Sequence, residues 1–221
     1  MIFIFLLFII SLTVKLVTKY FTFKGVEIVK YIITPMVVFS AILLALKGIV
    51  LYNTTSGRLI IGGLIFSMIA DIYLSTDRDL EFICGIIFFA IVQVLYFLAF
   101  SSIAVFHWIL PVLGILMFVT LGIMYKKLLY DNLDSLLRIG VPIYMILVTF
   151  MFLASIGVLI ASPGMATFTI FVGAFLFWIS DLVLAINAFY KKFENSAFII
   201  WSTYGIAQML IGSSVLLELY K

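Results

Sequence analysis

The sequence predicts an all-α membrane protein, a polytopic bundle of eight transmembrane helices. Hydrophobic residues make up 66% of the 221 residues and charged residues only 10%, and the mean hydropathy is +1.37. A soluble domain of this length could not bury so much apolar surface. The apolar residues also fall into eight stretches of roughly span length, separated by short polar connections. We therefore expect a single integral membrane domain over residues 1–221.

The sequence around and between these stretches defines the predicted spans. The first stretch, Met1 to Thr18, lacks the basic start and the cleavage site of a signal peptide, so we interpret it as a retained span. Residues 53–57 and 162–164 have turn-forming sequences, and residues 126–138 form the only polar loop of any length. The predicted spans are residues 2–18, 30–46, 59–75, 82–101, 104–125, 139–160, 167–189 and 197–217.

The positive charges indicate the orientation of the spans. Of the 13 Lys and Arg residues, ten fall between spans 1 and 2, 3 and 4, 5 and 6, or 7 and 8. Lys and Arg are enriched in cytoplasmic loops, so we expect these four connections inside and both termini outside. The ten are Lys15, Lys19, Lys24, Lys30, Arg78, Lys126, Lys127, Arg138, Lys191 and Lys192, against Lys47, Arg58 and Lys221 on the opposite side.

Two aspartates interrupt apolar spans in nearly the same sequence frame. Gly63 precedes Asp71, and Gly173 precedes Asp181, by seven intervening residues, and a Leu follows each Asp after two more. A carboxylate inside a membrane span is costly and is by default a candidate for function. Both spans run the same way, so we expect one site built from two helices and a parallel 4+4 pseudo-repeat. Hydrogen bonding between helices is the structural alternative for both aspartates.

Further polar residues lie at depths that overlap with the aspartates. We expect them to line a polar pocket that opens toward the inner leaflet, with amide and phenol groups around two carboxyl groups. Lys30, at the start of span 2, suits a lipid phosphate at the mouth, although an interfacial anchor is the simpler interpretation. Interhelical hydrogen bonding and packing are the alternatives for the others. These candidate binding residues are Lys30, Gln93, Tyr96, Asn187, Tyr204 and Gln208.

Several classes of protein lack support in this sequence. One cysteine, Cys84, and one histidine, His107, leave no intrachain disulfide and no multi-histidine zinc site. The chain has no Gly-x-Ser-x-Gly elbow, Walker loop or dinucleotide fingerprint, and no basic cluster that would bind nucleic acid. We expect no metal and no cofactor, and lipids as the partners.

Four motifs in order give the chain a family resemblance. Lys30 precedes Pro35 by five residues at the start of span 2, and a Gly-rich frame, Gly62-Gly63, leads to Asp71. Ser180-Asp181 follows in span 7, and Tyr204 precedes Ala207-Gln208 in the last span. With this spacing the chain resembles the YhhN-like family of eight-span membrane proteins, whose characterised members are lysoplasmalogenases. One departure is Gln93, which stands where the family often has a histidine.

The resemblance implies hydrolysis of the vinyl ether bond of a lysoplasmalogen, which gives a fatty aldehyde and a glycerophospho-ethanolamine or -choline. It also suggests a bacterial cell membrane as the location. Vinyl ethers hydrolyse by acid, and two nearby carboxyl groups held out of water can share one proton. We therefore expect Asp71 and Asp181 to be the catalytic pair, one as acid and the other as base and electrostatic stabiliser. A proton-coupled or small-molecule transporter and a non-catalytic lipid-binding protein are the alternatives.

Overall fold

The computed structural model describes residues 2–17, 26–75 and 79–217, and these ranges form a helical bundle without strands. Backbone alone is described for residues 26–31 and for Asp79. The α-helices in these ranges are α1 (Ile2–Val17), α2 (Val26–Tyr52), α3 (Thr55–Leu74), α4 (Asp79–Ser101), α5 (Ile109–Met124), α6 (Leu137–Ala161), α7 (Met165–Phe189) and α8 (Ser196–Leu217).

The predicted membrane bundle is confirmed. In the described ranges, seven segments, each overlapping one of the helices α2 to α8, are long and apolar enough to cross a bilayer. The described part of α1 has 16 residues, which is about 24 Å of helix against a hydrocarbon core of about 30 Å. Two boundaries differ from the prediction by five residues or more, because α2 continues to Tyr52 and α5 begins only at Ile109.

The polar segment at 126–138, predicted as a loop, is largely helical. A π-helical turn, Tyr125–Leu129, and a 3₁₀ turn, Tyr130–Asn132, extend α5 before α6 begins at Leu137. By contrast, the turn chemistry predicted at 53–57 is confirmed. Asn53 adopts a positive φ of 52°, which asparagine tolerates better than most residues, and Thr54 caps α3 by accepting from the Gly57 N–H.

Helix packing agrees with two four-helix halves. The closest neighbours are the consecutive pairs α3–α4 and α7–α8, and the halves meet where α2 packs on α8 and α4 packs on α6. If α1 to α4 are taken as the counterparts of α5 to α8, the contact between α2 and α8 corresponds to the contact between α6 and α4. We call the end of the bundle where the odd-numbered helices end and the even-numbered helices begin the aspartate end, because Asp71 and Asp181 lie nearer to it.

The glycine in each aspartate frame allows close helix contact. A Cβ on Gly63 would lie 2.3 Å from the Tyr96 ring on α4, and a Cβ on Gly173 would lie 2.8 Å from the Ile211 side chain on α8. Asp71 and Asp181 follow eight residues later, about two helical turns, and so lie near the same face of their helices. The repeated spacing therefore places each aspartate about two turns from a close helix contact, but the carboxyl groups bond to other helices, Asp71 to α8 and Asp181 to α4 and α6.

Lys15 lies inside α1, and this corrects its assignment to the first cytoplasmic connection. Its side chain is buried, donates a hydrogen bond to Thr34 on α2 and lies over the Trp201 ring on α8. The sequence suggested a loop because Lys15 ends an apolar stretch. Packing of α1 against α2 and α8 covers it instead.

Candidate functional site

A cavity opens among α3 to α7 at the aspartate end. It encloses about 660 Å³ of space outside the protein atoms, including its open side. Its walls are mainly aliphatic and aromatic, with Phe89, Leu121 and Val148 among them. The polar side chains that reach it are those of Tyr144, Trp178 and Asp181. A largely apolar cavity with a few convergent polar groups is the usual form of a small-molecule or lipid site.

Two donors from neighbouring helices fix the Asp181 carboxyl group. The Tyr144 hydroxyl donates to Asp181 Oδ2 at 2.7 Å, and Gln93 Nε2 donates to the same oxygen at 3.3 Å. Gln93 Nε2 also lies 3.3 Å from the Tyr144 hydroxyl oxygen. Asp181 Oδ1 accepts no hydrogen bond from the described side chains, and the residue lines the cavity. The carboxyl group is therefore held by one oxygen while the other is available to a ligand.

Gln93 has a hydrogen-bonding capacity that the described structure leaves unused. Its side chain is fully buried, and its Oε1 atom has no partner. The amide acts on Asp181 only as a donor, through Nε2. Gln93 therefore joins the site that the sequence predicted for it.

A second polar network surrounds Asp71. The carboxyl group is 1% exposed, and its Oδ2 accepts from the Tyr204 hydroxyl at 3.0 Å. One turn further along α8, Gln208 accepts from the Tyr96 hydroxyl at 2.6 Å and donates to Ser67 at 2.8 Å. Both polar ends of Gln208 are thus satisfied inside the protein, so this network holds α3, α4 and α8 together.

Aromatic rings lie between the two networks. Phe89 lines the cavity, and its ring also packs edge-on against Tyr204, with centroids 5.6 Å apart. Phe177 contacts the rings of Tyr96 and Tyr204. Asp71 does not line the cavity, and no hydrogen bond joins it to Asp181. We expected Asp71 and Asp181 to share one proton, and the described structure has no contact between the two carboxyl groups through which they could do so.

Two other predicted site residues stand apart from the cavity. Asn187 is not among the residues that line it. It lies seven residues after Ser180, on the same face of α7, and Ser180 donates to the Ile200 carbonyl on α8. The Asn187 Oδ1 atom is buried without a partner. Lys30 falls within α2, but its side chain lies outside the described residues, so its phosphate role stays a prediction.

The sequence reasoning missed Tyr144, the closest donor to Asp181. Tyr144 is one of 11 tyrosines and stands in an apolar stretch, so its sequence context gives no functional signal. Lys15 was assigned to a loop and not to the surroundings of Asp71. As for metals, the described ranges contain no group of three His, Cys, Asp or Glu side chains that could hold an ion.

Comparison with known proteins identifies the family. The YhhN family model matches residues 29–215, which include both aspartates and both glutamines. The chain belongs to the YhhN family. Two relatives, lysoplasmalogenase TMEM86A of Bos taurus and of Homo sapiens, are each 31% identical to it, over 173 and 170 residues. In both cases the match covers 76% of this chain and 68% of the relative. No solved structure matches the chain.

Proposed function

We propose that this protein is a membrane hydrolase that cleaves the vinyl ether bond of lysoplasmalogens. The observation that carries the proposal is Asp181, which lines an apolar cavity and whose carboxyl group is anchored through Oδ2 alone. The two curated relatives are named lysoplasmalogenases, which supports the same class of substrate. The products would be a fatty aldehyde and a glycerophospho-ethanolamine or -choline.

The chemistry begins with proton transfer from Asp181. With Tyr144 and Gln93 donating to Oδ2, the transferable proton belongs on Oδ1, which takes part in neither hydrogen bond. It goes to the vinyl carbon that is not bonded to the ether oxygen, which leaves an oxocarbenium ion at the other vinyl carbon. Water adds there and returns its proton to the Asp181 carboxylate. The hemiacetal then releases the aldehyde and the glycerol hydroxyl group.

The cavity walls suit the rest of this substrate. An alkenyl chain against Phe89, Leu121 and Val148 would keep its reacting end beside Asp181. Trp178, whose indole N–H donates to Thr149 at 3.3 Å, forms a fixed wall beside the carboxyl group. Exclusion of bulk water strengthens the electrostatic effect of the Asp181 carboxylate on the oxocarbenium ion. Asp71 is the second acidic residue of the proposal, and we expect its loss to lower the activity.

The test is aldehyde release by the purified protein in detergent. A lysoplasmalogen is the substrate, and the lysolipid with a saturated ether at the same position is the control. We expect aldehyde from the vinyl ether alone, no measurable release by Asp181→Asn, and lower release by Asp71→Asn. Asp131→Asn, a change at an exposed residue after α5, should keep wild-type activity. A folded wild-type protein that releases no aldehyde from any vinyl ether lipid contradicts the proposal and leaves transport or lipid binding.

A further inference from the structure

Lys15 brings a positive charge into the interior of the bundle. Its side chain is only 8% exposed, and Nζ lies 3.9 Å from the centre of the Trp201 ring. The same nitrogen donates to the Thr34 hydroxyl on α2. A lysine this deep needs compensation from π systems, hydrogen bonds or an opposite charge, because its desolvation is costly.

The contacts of Lys15 lead to Asp71. The Trp201 ring, over which Nζ lies, packs edge-on against the Tyr204 ring with centroids 5.8 Å apart. The Tyr204 hydroxyl donates to Asp71 Oδ2 at 3.0 Å. The buried cation and the buried anion therefore belong to one cluster, formed by α1, α2, α3 and α8.

The surroundings of Asp181 differ from those of Asp71. In the second half of the bundle, α5 stands beside α6 as α1 stands beside α2 in the first half. The space among α4 to α7 is an open cavity, and Asp181 lines it. In the first half, α1 packs closely on α2 and α8 and buries both Ser11 and Lys15. The half with Asp181 thus has room for a substrate, and the half with Asp71 contains a lysine.

We propose that Asp71 is the counter-ion of Lys15 and a positioning residue, and that Asp181 alone delivers the proton. The second part rests on the proposed function, whereas the first part does not. Asp71 and Lys15 together keep Tyr204 and the adjoining Phe89, a wall of the cavity, in place. Removal of one charge leaves the other buried without its partner, and removal of both restores neutrality.

The experiment is a charge-removal cycle on the full-length protein in detergent. Lys15→Met and Asp71→Asn are made singly and together, and the folded fraction after heating is measured along with aldehyde release. Each single variant should lose about tenfold or more in activity and melt earlier, because one buried charge is left unpaired. The double variant should recover most of both losses. The control combines Asp71→Asn with Lys47→Met, a change at an exposed lysine on α2. This variant should recover neither the activity nor the stability that Asp71→Asn loses.

The two readouts separate the possible failures. A double variant that regains stability but stays as inactive as Asp71→Asn overturns the proposal, because Asp71 would then act on the substrate itself. If the double variant loses as much stability as the two single variants together, Lys15 and Asp71 are not coupled and the proposed ion pair is wrong. If adding Lys15→Met to Asp181→Asn restored activity, Asp181 could not be the residue that delivers the proton. If the wild type releases no aldehyde, the proposed function fails, and the stability cycle still decides whether Lys15 and Asp71 are coupled.

Discussion

At the residue scale, the site depends on the hydrogen bonds to one carboxylate oxygen. Tyr144 and Gln93 come from α6 and α4, and each donates to Asp181 Oδ2. A carboxyl group held by one oxygen keeps a fixed orientation, which proton transfer to a carbon atom requires. Tyr144 makes the shorter of the two bonds and also lines the cavity.

Tyr144→Phe removes that bond while keeping the aromatic ring. A hydrogen bond to a charged group contributes about 1.5–3 kcal/mol, so we expect kcat to fall by roughly 10- to 100-fold at about 1.4 kcal/mol per tenfold. KM should change little, because the apolar walls remain. Steady-state aldehyde release gives both parameters. The matched control is Tyr190→Phe, at an exposed tyrosine on the end of α7. Wild-type kcat in the Tyr144 variant would contradict the anchoring role.

At the element scale, neighbouring glycines in α3 have different environments. A Cβ on Gly63 would lie within 2.3 Å of the Tyr96 ring, whereas a Cβ on Gly62 would make ordinary contact with Leu95 at 3.6 Å. The Tyr96 ring cannot easily move, because it is fully buried and its hydroxyl is bonded to Gln208. Close contact between α3 and α4 therefore depends on Gly63 and not on Gly62.

Gly63→Ala should lower the free energy of unfolding by about 1–3 kcal/mol, the usual cost of overpacking. Gly62→Ala should be neutral or stabilising, since alanine favours a helix by up to about 1 kcal/mol over glycine. Thermal unfolding of both variants in the same detergent checks the difference. Equal melting temperatures for the two variants would show that Tyr96 yields at little cost and that the close contact is not required.

At the scale of the whole molecule, the orientation decides which leaflet supplies the cavity. Within the described ranges, and with buried Lys15 left out, six lysines and arginines lie near the aspartate end and two at the other end. The six are Lys30, Lys126, Lys127, Arg138, Lys191 and Lys192, and the two are Lys47 and Arg58. The bias still favours a cytoplasmic position for the aspartate end. The cavity would then receive lipid from the inner leaflet.

Cysteine labelling of intact cells tests this orientation. With Cys84 replaced by serine, Thr55→Cys reports on the end opposite the aspartates, and Lys127→Cys reports on the segment after α5. Both positions are exposed. A membrane-impermeant maleimide should label Thr55→Cys in intact cells and Lys127→Cys only after the membrane is opened. The reverse pattern would place the cavity in the outer leaflet.

Hydropathy and local sequence were enough to predict the membrane class and most helix boundaries, and to single out the two aspartates as candidate site residues. A stretch that is apolar on all sides belongs in a bilayer whatever its neighbours are, and a carboxylate within it is conspicuous. The same local rules failed for residues 126–138 and for Lys15. Lys15 lies against other helices, and only its partners show that it is buried. In the segment 126–138, π and 3₁₀ turns extend α5, and packing of the apolar Leu129 and Leu133 accompanies them.

By itself, the sequence determined that the chain is a helical membrane protein with two aspartates in equivalent frames. The tertiary structure decided that Asp181 lines a cavity and is bonded to Tyr144 and Gln93, and that Asp71 lies in a separate cluster with Tyr204, Trp201 and Lys15. The physical reason is that hydrogen bonds between helices depend on how each helix is rotated and how deeply it lies. Packing contacts across the whole bundle, such as those at Gly63 and Gly173, set these quantities.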